Sequence, residues 1–211
     1  MPSRYVGYAR NLTTYFGASL IPMMLSLVTN PMVASNMSPK DYAISGYYLS
    51  FSTLIGPIIV FYLVHYYIKE YFRCDEESRN HMFAVIAKAL IWFSGLVSIF
   101  CFTILFLYLR FFNTDFSFPV MPYLAMTVFA LPLTGLYSLQ QARYRMEKDA
   151  QSFFRLSVSN GLLGIVLTLL FVVVLKLGAL GKLLAPLMGN LAIFAFLTAK
   201  YGEIWRIRTE H

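Results

Sequence analysis

The run "GLLGIVLTLLFVVVL" (161–175) holds no charged residue and no alternation of polar and apolar positions. It belongs to one of six long, predominantly apolar runs, at about 8–33, 43–67, 82–109, 119–141, 153–175 and 180–199. Each is long enough for a helix to cross a hydrocarbon core of about 30 Å, which needs roughly 20 residues. A helix satisfies its own backbone hydrogen bonds in lipid, whereas a membrane barrel would show alternating segments of about ten residues. Composition points the same way. The 211 residues are 58% hydrophobic and 13% charged, against about 25% charged in a typical soluble domain. The expected fold is an all-α membrane protein. Residues 1–211 form a single bundle of six transmembrane helices.

The basic residues set an orientation. Thirteen of the 17 fall on one side of the alternating topology: Arg4 and Arg10; Lys69, Arg73, Arg79 and Lys88; Arg143, Arg145, Lys148 and Arg155; Lys200, Arg206 and Arg208. Lys40, Arg110, Lys176 and Lys182 fall on the other. Short cytoplasmic loops carry the excess of Lys and Arg, so both termini are expected in the cytoplasm. This distribution also argues against nucleic acid as the reason for the net charge of +7. The start "MPSRYVGYARNLTTYFG" lacks the short apolar core and small-residue cleavage site of a removable signal, so the first helix is read as retained.

The acidic residues all lie at helix ends or in loops. Ion-coupled transport normally uses an intramembrane acid, and metal sites need clustered oxygen, His or Cys donors. His65, His81 and His211 are scattered, and Cys74 and Cys101 are read as isolated thiols. Neither enzymatic chemistry, a metal nor a cofactor is expected.

Local signals place several helix ends. Ser38 is a natural N-cap, Pro39 suits the first helical position and Asp41 the first turn. Gly56-Pro57 and Pro132/Gly135 predict kinks. The stretch "QQARYRMEKDAQSFF" (140–154) is read as an extension of the fourth helix beyond the bilayer, and "KLGALGK" as a tight outer loop. In "LVTNPMV" (27–33), Pro31 disfavours helical geometry at Asn30. Asn30 therefore either ends or kinks the first helix at the outer rim or lines a cavity there. Lys88 lies about 9 Å inside the third span at 1.5 Å per residue. It either snorkels to the interface or faces a cavity.

Two stretches resemble the bacterial polysaccharide flippases of the multidrug/oligosaccharidyl-lipid/polysaccharide exporter superfamily. "TNPMVASNMSPKDYAISGYYLSF" (29–51) is similar to their first hairpin, and 136–191 to their fourth to sixth helices. The resemblance implies one lobe of a two-lobe exporter fold in the bacterial cytoplasmic (inner) membrane. Its substrate would be an undecaprenyl-pyrophosphate-linked oligosaccharide for O-antigen, capsule or similar polysaccharide, passed across the bilayer by alternating access. Six helices make one such lobe, so a second six-helix lobe is expected, either beyond this sequence or on another chain. A substrate of this kind needs cations for its phosphates, hydrogen-bonding groups for its glycan and contact with membrane lipid for its tail. The candidate cavity residues are Arg10, Asn30, Lys88, Gln140 and Arg143. The alternative is a six-helix membrane scaffold or assembly subunit with no transport path.

Overall fold

The computed structural model describes residues 2–60, 62–112 and 120–200, with side chains from 12–60, 62–75, 77–111 and 120–199. Those residues form seven helices and no strand: α1 (Pro2–Ser35), α2 (Pro39–Val60), α3 (Leu63–Glu70), α4 (Glu76–Phe112), α5 (Tyr123–Met146), α6 (Ala150–Thr168) and α7 (Gly178–Lys200). A 3-10 turn at Tyr71–Arg73 follows α3, and a π-helical segment, Leu169–Val174, prolongs α6. Five of the helices are long and apolar enough to cross a membrane: α1, α2, α4, α6 with its π segment, and α7. The chain is thus all-α with the character of a multi-pass membrane protein. The fourth expected span, α5, falls outside the five. It has 24 residues, but Gln140, Gln141, Arg143 and Arg145 crowd its last turns.

The apolar clusters fix the direction of each helix. Leu124 near the start of α5 packs with Leu109 at the end of α4 and with Ile44, Ala179 and Leu183 near the starts of α2 and α7. Leu139 and Ala142 near the end of α5 pack with Tyr67 of α3 and with Phe83 and Ala87 near the start of α4. Ala18 of α1 meets Phe153 of α6, Tyr144 of α5 and Leu197 of α7. The other end of α1, at Val33 and Met37, meets Val172. Successive passes α1, α2–α3, α4, α5, α6 and α7 therefore alternate in direction. The links Tyr71–Asp75 and Glu147–Asp149 share one end, and it is the arginine-rich end.

The helix ends follow local chemistry. Ser38 Oγ accepts the Asp41 backbone N–H at 3.0 Å, as an N-cap does, and donates to Asp41 Oδ2 at 2.7 Å. At the arginine-rich end, Arg79 Nε donates to the carbonyls of Tyr71 (2.9 Å) and Cys74 (3.0 Å) and its guanidinium lies 4.6 Å from the Tyr71 ring centroid. One side chain thereby closes the α3–α4 turn. Asp149 caps α6 by accepting the Ser152 backbone N–H at 3.0 Å. That cap corrects the reading of 140–154 as one extended helix. The fourth pass runs on to Met146, but Lys148 adopts φ +57° and the chain turns before α6 begins.

The second pass is interrupted beyond Gly56-Pro57, where a kink is expected. Pro57 stays inside α2, and the chain breaks at Tyr62, which is left-handed at φ +55°. An interrupted helix frees carbonyls, and lipid cannot satisfy them. Here Ser94 of α4 donates its hydroxyl to the Ile59 carbonyl at 2.6 Å, with Ser94 fully buried. The first helix likewise does not end at Asn30-Pro31. It continues to Ser35 with both Pro22 and Pro31 inside it.

Close approaches hold helices that have little hydrophobic drive to associate within lipid. A Cβ on Gly161 of α6 would lie 2.6 Å from the Pro22 ring of α1. A Cβ on Gly181 of α7 would lie 2.9 Å from the Phe171 backbone, inside the π segment. Gly178 opens α7 at φ +57°, against the Asp41 carboxylate. The tight turn expected from "KLGALGK" is therefore confined to Leu175–Leu177, and its glycines serve the packing of α7.

Candidate functional site

Three helical stripes of polar and small residues meet at one cleft of about 360 Å³. From α1 come Ser26, Thr29 and Asn30; from α6, Asn160, Gly161, Gly164 and Thr168; from α7, Lys182, Gly189 and Asn190. Within each helix the residues recur at three- and four-residue spacing, which puts them on one face. Small residues on α6 leave the room, and Leu49 of α2 closes one edge.

The hydroxyls on α1 are tied to their own helix. Ser26 Oγ donates to the Pro22 carbonyl at 2.8 Å and Thr29 Oγ1 to the Leu25 carbonyl at 3.0 Å. Asn30 is exposed and makes no side-chain hydrogen bond among the described residues. The asparagines of the other two walls are held from behind by α5. Asn190 Nδ2 donates to Thr134 Oγ1 at 2.8 Å, and Thr134 passes its own proton to the Ala130 carbonyl at 3.0 Å. Asn160 bonds the Tyr137 hydroxyl. Gln141 Nε2 donates to that same hydroxyl at 2.7 Å and to Ser157 Oγ at 2.8 Å. The polar half of α5 is thus a bracket that fixes the cleft wall. Lys182 brings the cation, half-buried, with Nζ 4.1 Å from the Tyr42 ring centroid.

The five residues singled out in the sequence separate. Asn30 lies in the cleft. Gln140 is 2% exposed in the core between α4, α5 and α7, among Phe83, Leu139 and Phe194. Arg143 joins α5 to α4: Nε donates to Glu147 Oε1 at 2.7 Å, Nη2 to Asn80 Oδ1 at 3.1 Å, and the guanidinium lies 4.8 Å from the Phe83 ring centroid. Lys88 is half-buried on α4, beside Ala87 of that same core, and lines none of the cleft. Arg10 belongs to α1, but its side chain lies outside the described residues, as do those of Arg4, Lys200, Arg206 and Arg208.

Lys182 was missed as a site residue because it reads as an outer-loop charge. The signal was present: Lys182, Pro186, Gly189 and Asn190 recur at helical spacing on α7. A cleft with three amides, hydroxyls and one ammonium suits a hydroxyl-rich ligand carrying an anionic group. No family model, curated protein or solved structure matches this chain.

Proposed function

We propose that this chain is one lobe of a transporter that carries a lipid-linked oligosaccharide across a bacterial cytoplasmic membrane, with the α1/α6/α7 cleft as part of its polar path. The observation that carries the reading is the sidedness of the bundle. The exposed residues of α4 include Trp92, Leu96, Ile99, Phe100, Ile104 and Leu107, a surface suited to acyl chains. The face around the cleft exposes Asn30 on α1 and Gly46, Ser50 and Thr53 on α2, alongside Leu27 and Leu49. Amide groups facing hydrocarbon are costly, so this face belongs against water, substrate or a second lobe.

The reading includes α5 as a sixth span. It runs antiparallel to α4 from Leu124 to Ala142, and α4 is one of the helices long and apolar enough to cross. Gln141 bonds to Ser157 of α6, Thr134 to Asn190 of α7 and Arg143 to Asn80 of α4, and Gln140 is buried in the core, so these polar residues do not face lipid. Six passes with the arginine-rich links in the cytoplasm then follow from the charge bias. The pyrophosphate and glycan of the substrate would use the cleft's cation and amides. The lipid tail would remain in the bilayer.

The test is deletion of the gene in its native bacterium. The expected result is loss of surface polysaccharide with lipid-linked oligosaccharide accumulating in the inner leaflet, reversed by the wild-type gene. Normal surface polysaccharide in the deleted strain would sink the proposal and leave the scaffold reading in its place.

A further inference from the structure

We infer that a second groove, between α6 and α7 at the arginine-rich end, holds an anionic phospholipid of the surrounding bilayer. The groove is about 410 Å³ and shares no residue with the polar cleft. Along α6 its wall runs Ser152, Arg155, Ser159, Leu163, one face at helical spacing. At 1.5 Å per residue, Arg155 and Leu163 are about 12 Å apart along the axis. The wall therefore changes from cationic and hydroxylated at the helix start to apolar toward the bundle's middle. Ala192 and Phe196 of α7, both exposed, face it.

That gradient matches one molecule. A phosphate headgroup would sit on Arg155 with the Ser159 hydroxyl beside it, the Ser152 hydroxyl being bonded to Asp149. One acyl chain would lie along Leu163, Ala192 and Phe196, parallel to the helices. A soluble anion would leave the apolar half empty, and a neutral lipid would leave Arg155 with no ion pair within 4.0 Å among the described residues. Arg155 is exposed and makes no ion pair within 4.0 Å among the described residues. Asp149 acts on Arg155 electrostatically without closing an ion pair with it. Arg145, stacked over Phe153 at 5.8 Å, adds a second cation on the same end.

The test is native mass spectrometry of the full chain in detergent with added phosphatidylglycerol or phosphatidylcholine. Phosphatidylglycerol is expected to form the tighter adduct, by about fivefold for one arginine near a headgroup. Arg155→Gln removes that preference, and Arg155→Lys keeps most of it. Ala192→Phe fills the apolar half and weakens both adducts. Neither position is buried, and a single symmetric gel-filtration peak checks each variant's fold. Excess inorganic phosphate leaves the adduct in place. The inference is overturned if the full chain takes no saturable phosphatidylglycerol, as when another segment occupies the groove. It is equally overturned if Arg155→Gln and Ala192→Phe both bind like wild type, or if phosphate displaces the lipid.

Discussion

Single side chains carry much of the order at the helix ends and breaks. Ser94 is the clearest case, because its hydroxyl is the partner that α4 supplies to a carbonyl next to the break after α2. Ser94→Ala should cost about 1 kcal/mol, the usual scale for orphaning one buried polar group, read as a lower thermal midpoint in detergent. Asp149 is the second case. Its carboxyl is held below its ordinary value of 3.8 first by the Ser152 hydroxyl and then by the Ser152 N–H. A carboxyl depressed in the folded state stabilises above its unfolded value, and that contribution fades as pH falls through the folded value. Asp149→Ala should cost about 1 kcal/mol at pH 7. The gap to wild type should narrow below pH 4, which unfolding midpoints at both pH values would reveal. A constant gap would contradict the assignment.

At the scale of elements, the join between α1 and α6 rests on a contact without slack. The rigid Pro22 ring lies where a Gly161 side chain would begin. Gly161→Ala should therefore push α1 outward and destabilise by about 1–3 kcal/mol, the range for overpacking, with faster proteolysis within α1. Gly46→Ala is the contrast, because nothing lies within 4 Å of its Cβ position.

The elements also show what was legible in the residues. Long apolar runs gave the helices, and Ser38-Pro39 with Asp41 gave the start of α2, because both signals are local. The breaks were not legible. Pro57 marks where a hydrogen bond is missing, but the chain breaks at Tyr62, where α4 offers Ser94 as a partner. That choice is tertiary. Gly181 of α7 seats closely on the Phe171 backbone within the π segment of α6, another contact between residues of different helices. Of the candidate site residues, Asn30 reached the cleft. Gln140 lies in the core beside Phe194 with its amide nitrogen unpartnered among the described residues, and Arg143 is held in the α4–α5 joint by Asn80, a partner distant in sequence.

At the scale of the whole molecule, the proposed function requires six crossings and one polar face along a substrate path. The crossings predict opposite accessibility for two turns. In a background lacking Cys74 and Cys101, Lys176→Cys should react with an impermeant maleimide on intact cells. Lys148→Cys should react only after permeabilisation. Labelling of both from one side would mean that α6 does not cross. The polar face is tested most directly by export itself. Asn30→Leu combined with Lys182→Gln removes an unbonded amide and the cleft's cation while leaving the α5 bracket intact. At unchanged protein level, lipid-linked oligosaccharide should accumulate in the inner leaflet, with surface polysaccharide falling severalfold. Wild-type export from that double variant would contradict the claim that the cleft carries the substrate.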